Sequence, residues 1–169
     1  MSSANYLLRV PATAIPGMAT SFTAFVWIWG ANVGPSSHRR SRWPVPGGEA
    51  EELALYRDDR SALGGSDGPL GAALFGRHRV APEFMDSPAI YAPDGDLTGP
   101  PAEVFFGEPP SYLRPDETAA TAAALDTLDV GGATRGGPDP ASLSHTVERV
   151  AQFYRRAAGA GQGVFMFAH

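Results

Sequence analysis

The sequence predicts an α+β fold: one compact domain over residues 1–169, with a small mixed sheet and helices packed on it. Three observations lead there. Pro140–Ala158 (PASLSHTVERVAQFYRRAA) has the apolar period of a single amphipathic helix. Pro115 opens a second helical pattern that runs to Gly131-Gly132. After Gly159-Ala160-Gly161 the chain turns into an apolar strand, Val164-Phe165-Met166-Phe167. A strand of that kind predicts a C-terminus built into the fold, with no tail. At 169 residues and 43% hydrophobic content the chain can bury a core of its own.

Taken in order, Asn5–Val10 (NYLLRV) is a short apolar run closed by Pro11, which predicts an opening strand. Arg9 in its midst either faces out or pairs with a carboxylate. Pro11–Gly17 reads as a connection, with Pro16-Gly17 as its turn. Phe22–Val33 (FTAFVWIWGANV) shows both strand and helix spacings, so its period does not decide between them. It is too short to span a bilayer and has only Arg9 as a basic leader, which predicts a buried segment, no secretory signal and a cytoplasmic protein. The chain should be loop-rich between residues 34 and 101, where Gly and Pro concentrate.

Within that stretch, Gly48–Leu63 reads as a short helix, because Glu49, Glu51 and Glu52 suit the positive end of a helix dipole. Pro69–Gly76 reads as a second short helix closed by glycine. Val80, Phe84, Ile90 and Tyr91 are the expected anchors of the turn-rich segment 77–101, and Glu103–Gly107 has strand character. The next helix is well signed. Pro115 suits its first position, Asp116 and Glu117 its first turn, and Ala119–Ala124 its interior. Ala122, Leu125 and Leu128 form one stripe. In the final helix Asp139-Pro140 gives the cap, and Leu143, Val147, Val150, Tyr154 and Ala157 or Ala158 mark the buried face. Glu148, Arg149, Gln152, Arg155 and Arg156 fall mainly opposite.

Composition removes several mechanisms. There is no cysteine, hence no thiol nucleophile, disulfide or Cys-ligated zinc. All thirteen basic residues are arginine, hence no Schiff-base or phosphate-loop lysine. An Ala-, Gly- and Arg-rich chain lacking lysine has the composition of a GC-rich genome. The net charge of −5 disfavours nucleic acid, whose phosphates would repel it. The one basic cluster, His38-Arg39-Arg40-Ser41-Arg42 before Trp43, is short and flanked by Pro and Gly, as in a solvated loop.

Four segments resemble the YfbM-like family, a set of bacterial proteins of unknown function. Asn5-Tyr6-Leu7-Leu8-Arg9 is similar to its opening strand, and Gly68–Gly76 to its Pro-Leu stretch closing on glycine. Tyr112-Leu113-Arg114-Pro115-Asp116-Glu117 is similar to its Tyr-Leu-Thr-Pro-Glu-Glu helix start. Phe153–Ala158 with Gly163–Phe167 is similar to its closing helix and strand. Residues 103–169 carry most of the likeness. Two departures stand out. Arg114 replaces the capping Ser or Thr, and the family's Trp- and His-containing helix is Glu52-Leu53-Ala54-Leu55-Tyr56 here. If that histidine served a shared site, this chain lacks it. The resemblance implies a single α+β domain and no assignable activity.

No catalytic, cofactor-binding or metal-binding residues are assigned, and no cofactor is expected. Of the four histidines, His38, His78, His145 and His169, none has metal-ligand spacing to another His or a carboxylate. His78 lies between Arg77 and Arg79, whose charge favours its neutral, basic form. Asp94-Gly95-Asp96 lacks the rest of a calcium loop and reads as a turn. Asp58-Asp59, Asp86, Glu103 and Glu108 offer carboxylates but no pairing that sequence can assign. Ser36-Ser37, Ser111 and Ser142 lack a nucleophile elbow.

Two readings follow. The first is a binding module without catalytic activity, meeting a protein partner through the loop-rich middle around Trp43, with no nucleic-acid or membrane partner. The alternative is a small hydrolase or transferase using His78 or a carboxylate pair. A pocket uniting His78 with Glu103 or Glu108 would mark the enzyme; a flat aromatic-and-arginine surface would mark the module.

Overall fold

The computed structural model describes residues 4–20, 51–56, 69–80, 110–129 and 140–168. The strands are β1 (Ala4–Pro11), β2 (Glu51–Tyr56), β3 (Arg79–Val80), β4 (Ser111–Leu113) and β5 (Gln162–Ala168). The helices are α1 (Ile15–Thr20), α2 (Pro69–Phe75), α3 (Pro115–Asp126) and α4 (Pro140–Gly159), with a 3-10 turn at Ala12–Ala14. The five strands form one sheet in the order β2-β1-β5-β4-β3. The α+β class therefore stands. The expected mixed sheet does not: every pairing among the described strands is antiparallel. Among the described residues two helices intervene between β4 and β5, consistent with the chain re-entering the sheet in the opposite sense. A single crossover helix would have returned it parallel.

The terminal strand lies in the sheet's centre. Its register pairs Asn5 with Ala168 through Pro11 with Gln162 on one side, and Leu113 with Val164 on the other. Alternation sends Val164 and Met166 toward the helices and Phe165 and Phe167 to the opposite face. The helix-side core gathers Leu7, Leu55, Leu70, Leu74, Leu113 and Leu125 around Val150, Phe153, Tyr154 and Ala157 of α4. On the other face Tyr6 stacks on Phe167 at 5.3 Å, and Tyr112 lies 5.6 Å from Phe165. Both are directly opposed cross-strand pairs.

One glycine permits this layering. A Cβ on Gly163 would stand 2.2 Å from Ile15 Cδ1 and 2.6 Å from the Leu113 carbonyl oxygen. Only a bare backbone lets α1 close over the sheet here. Gly161, at φ +63°, makes the left-handed turn from α4 into β5.

Several expected elements shift. Within the expected helix Gly48–Leu63, Glu51–Tyr56 is strand β2; the rest of that range lies outside the described residues. Leu53 and Leu55 alternate onto the core beside Leu7, and the ladder with β1 outweighs a favourable helix dipole. The expected connection Pro11–Gly17 instead coils into the 3-10 turn and α1, where Pro16 suits a first helical turn. Val80, an expected core anchor, is 58% exposed on the two-residue strand at the sheet's end. Strand pairing with β5 begins at Ser111. Phe22–Val33, Phe84, Ile90, Tyr91 and Glu103–Gly107 lie outside the described residues.

The two long helices follow their sequence signals. Ala122 and Leu125 of α3 are buried, and Leu128 packs against the core. Arg114 has no acceptor to cap α3, but the Glu117 carboxylate accepts from the Arg114 backbone N–H at 2.9 Å. A neighbour thus supplies half of the missing cap. In α4 Val147, Val150, Tyr154 and Ala157 are buried, while Glu148, Gln152, Arg155 and Arg156 are exposed. Arg149 departs from the expected polar face: half-buried, it donates to the Ala54 carbonyl at 3.2 Å.

Candidate functional site

Among the described residues, the candidates His78 and Ser111 are brought together in one polar cluster. α2 ends as Gly76 N–H donates to the Ala72 carbonyl at 3.0 Å, and His78 N–H then donates to the Phe75 carbonyl at 3.1 Å. That tight exit leads directly into β3, whose Arg79 and Val80 pair with Tyr112 and Ser111 of β4. The imidazole is thereby set between β4 and α4. Its Nδ1 lies 3.3 Å from Ser111 Oγ, and its Nε2 lies 3.3 Å from Tyr154 Oη. A neutral imidazole has one N–H and one lone pair, so one hydroxyl accepts from the ring and the other donates to it. Both contacts are long for hydrogen bonds that involve a hydroxyl.

Burial sets the electrostatics. Desolvation lowers the His78 pKa to about 4, against the opposing charge of the Glu117 carboxylate. The neutral form expected from the sequence is found, but its cause is burial rather than the flanking arginines. Arg79, one of those two, is itself bound to Glu117 Oε1 at 2.5 Å. Tyr154 is fully buried, and desolvation raises the pKa of its phenol. The chain Ser111–His78–Tyr154 therefore holds three uncharged groups at neutral pH.

A serine beside a histidine has the first two members of a hydrolytic triad. In such a triad a carboxylate holds the second ring nitrogen and stabilises the imidazolium. Here a buried phenol takes that place and supplies no negative charge. Ser111 is itself buried, at 7% exposure, which leaves little room for a substrate carbonyl. The cluster ties α2–β3, β4 and α4 together.

A second polar cluster lies at the opposite edge of the sheet. Glu51 Oε2 accepts from Arg9 Nε at 2.8 Å and from Arg156 Nε at 2.9 Å, and its Oε1 accepts from Arg156 Nη2 at 2.5 Å. Arg9 Nη1 also donates to Gln162 Oε1 at 2.6 Å. Burial disfavours the Glu51 charge, yet hydrogen bonds from Arg156 and Arg9 hold its pKa below the usual carboxylate value. Arg9 thus takes the carboxylate-paired option. That Glu51 and Arg156 would meet it had no sequence signal, because the cluster forms only when β2 pairs with β1.

His145 is exposed on α4. His38, the Arg39–Trp43 segment, Asp58, Asp59, Asp86, Asp94, Asp96, Glu103, Glu108 and His169 lie outside the described residues. Among the described residues no group of three or more His, Asp or Glu side chains is placed to hold a metal ion. Among them, too, no helix is long and apolar enough to cross a membrane.

No known family profile matches the chain, and no curated protein does. Solved structures do. A protein of unknown function from Escherichia coli, YfbM, is 14% identical over 98% of this chain and 99% of its own, with a TM-score of 0.56. At that identity the likeness speaks for the fold, and it spans nearly the whole of both chains: this protein shares the α+β fold of YfbM.

Proposed function

We propose that this chain is a YfbM-like protein of the bacterial cytoplasm that acts as a binding module for a protein partner, without turning over a substrate. The supporting observation is the engagement of His78. Both ring nitrogens are occupied by uncharged hydroxyls inside the fold, and burial holds the ring neutral with a pKa of about 4. A general base working near neutral pH needs a higher pKa and an open approach to the proton it removes. The segment proposed for the partner is His38–Trp43, whose sequence sets arginines next to a tryptophan. Capture of tagged chain from native lysate tests this. A stoichiometric protein partner lost on Arg39→Glu and Arg42→Glu supports the module; no partner under any condition counts against it.

One observation favours the second reading, a small hydrolase or transferase. Ser111 Oγ stands next to His78 Nδ1, the relation of a nucleophile to its base. A fluorophosphonate probe decides between the two. Labelling of Ser111 that disappears in folded His78→Gln protein would establish the enzyme and displace the module.

A further inference from the structure

Among the described residues the charged cluster at the β2 edge is unbalanced: one carboxylate, Glu51, serves two guanidiniums. It sits where β1, β2, the last turn of α4 and the start of β5 converge. Arg9 is half-buried and oriented by Gln162, which is 5% exposed, so its position is fixed by the fold. Arg156 is exposed and reaches Glu51 with two donors. Each guanidinium carries five N–H groups, and among the described residues the bonds to Glu51 and Gln162 use two of them on each arginine.

We propose that Arg9 and Arg156 form a phosphate-binding site in which Glu51 acts as a built-in competitor. The choice of phosphate follows from charge and tethering. A free carboxylate carries no more charge than Glu51 and lacks its high local concentration, so it does not displace it. A phosphate group carries nearly two negative charges at neutral pH and three acceptor oxygens, matching two guanidiniums once Glu51 swings aside. The ligand class is a small molecule bearing a phosphate group. The inference is independent of the module reading, since either a binder or a catalyst can carry such a site.

The test titrates the full chain with inorganic phosphate at fixed ionic strength, following the Arg Nε–H resonances and the melting temperature. The expected result is saturable movement of the Arg9 and Arg156 signals, with no comparable response to acetate. Glu51→Gln should bind phosphate at least tenfold more tightly. Arg156→Gln, a change at an exposed side chain, should bind at least tenfold more weakly while keeping its fold. No saturable response in either wild type or Glu51→Gln overturns the proposal. So does equal binding by wild type and Arg156→Gln, or acetate acting as well as phosphate.

Discussion

The two edges of the sheet are tied to the same helix by opposite means. At the β3–β4 edge, α4 reaches across through Tyr154 to a neutral chain of hydroxyl, imidazole and hydroxyl. At the β2 edge, two residues further along α4, Arg156 reaches across through full charges to Glu51 and its second partner Arg9. The neutral link is buried, so its contacts are unscreened but any charge within it is costly. The charged link is half-exposed, so it tolerates charge and yields to salt. Burial decides which polar chemistry each edge can use.

The largest expected effect breaks the neutral edge with acid. His78 has a folded pKa of about 4 against an ordinary value of 6.5, so the unfolded chain binds more protons between those values. The contribution is fully present above pH 6.5, falls as pH drops, and is lost below pH 4. That amounts to at most about 3 kcal/mol. Urea unfolding from pH 7 to pH 4 should show this slope in wild type and a shallower one in His78→Gln. Equal slopes would place the acid sensitivity elsewhere.

Tyr154→Phe should come next. It keeps the ring and removes the hydroxyl, leaving a His78 nitrogen without its partner at a cost of about 1–2 kcal/mol. Chemical denaturation measures it, and a neutral result would mean that the 3.3 Å contact contributes nothing. The charged edge should respond less. Glu51→Gln is expected to cost about 1 kcal/mol or less in dilute buffer, shrinking in 1 M salt, whereas the Tyr154→Phe effect should be insensitive to salt. A control of opposite sign lies in α3. Thr118 and Thr121 are fully buried, and their hydroxyls have no partner among the described residues, so Thr121→Val should be neutral or stabilising by about 0.5 kcal/mol. A clear loss of stability there would reveal an unseen partner for the hydroxyl.

What sequence showed and what it hid divides along range. β1, α2, α3, α4 and β5 announce themselves through periods, caps and breakers a few residues long. β2 did not. Its glutamates read as a helix start, and only β1, a distant part of the chain, supplies the ladder that makes it a strand. The candidate site shows the same limit. His78 was visible from its neighbours, but Ser111 and Tyr154 stand 33 and 76 residues away from it. Tyr154 fitted the apolar stripe of α4, and nothing in a helical period tells which way a phenol hydroxyl will point.

The central position of β5 has a consequence for assembly. Arg9 and Gln162, joined side by side, are separated by 153 residues of chain. Among the described strands β5 joins the β1–β2 pair to the β4–β3 pair, so until the ribosome has delivered it each pair keeps an open flank. Closing so large a loop is slow, and the waiting flanks are available to other chains. Nascent protein should thus depend on chaperones until its last described strand is made. Truncation just before Gln162 should yield aggregates rather than a smaller folded protein.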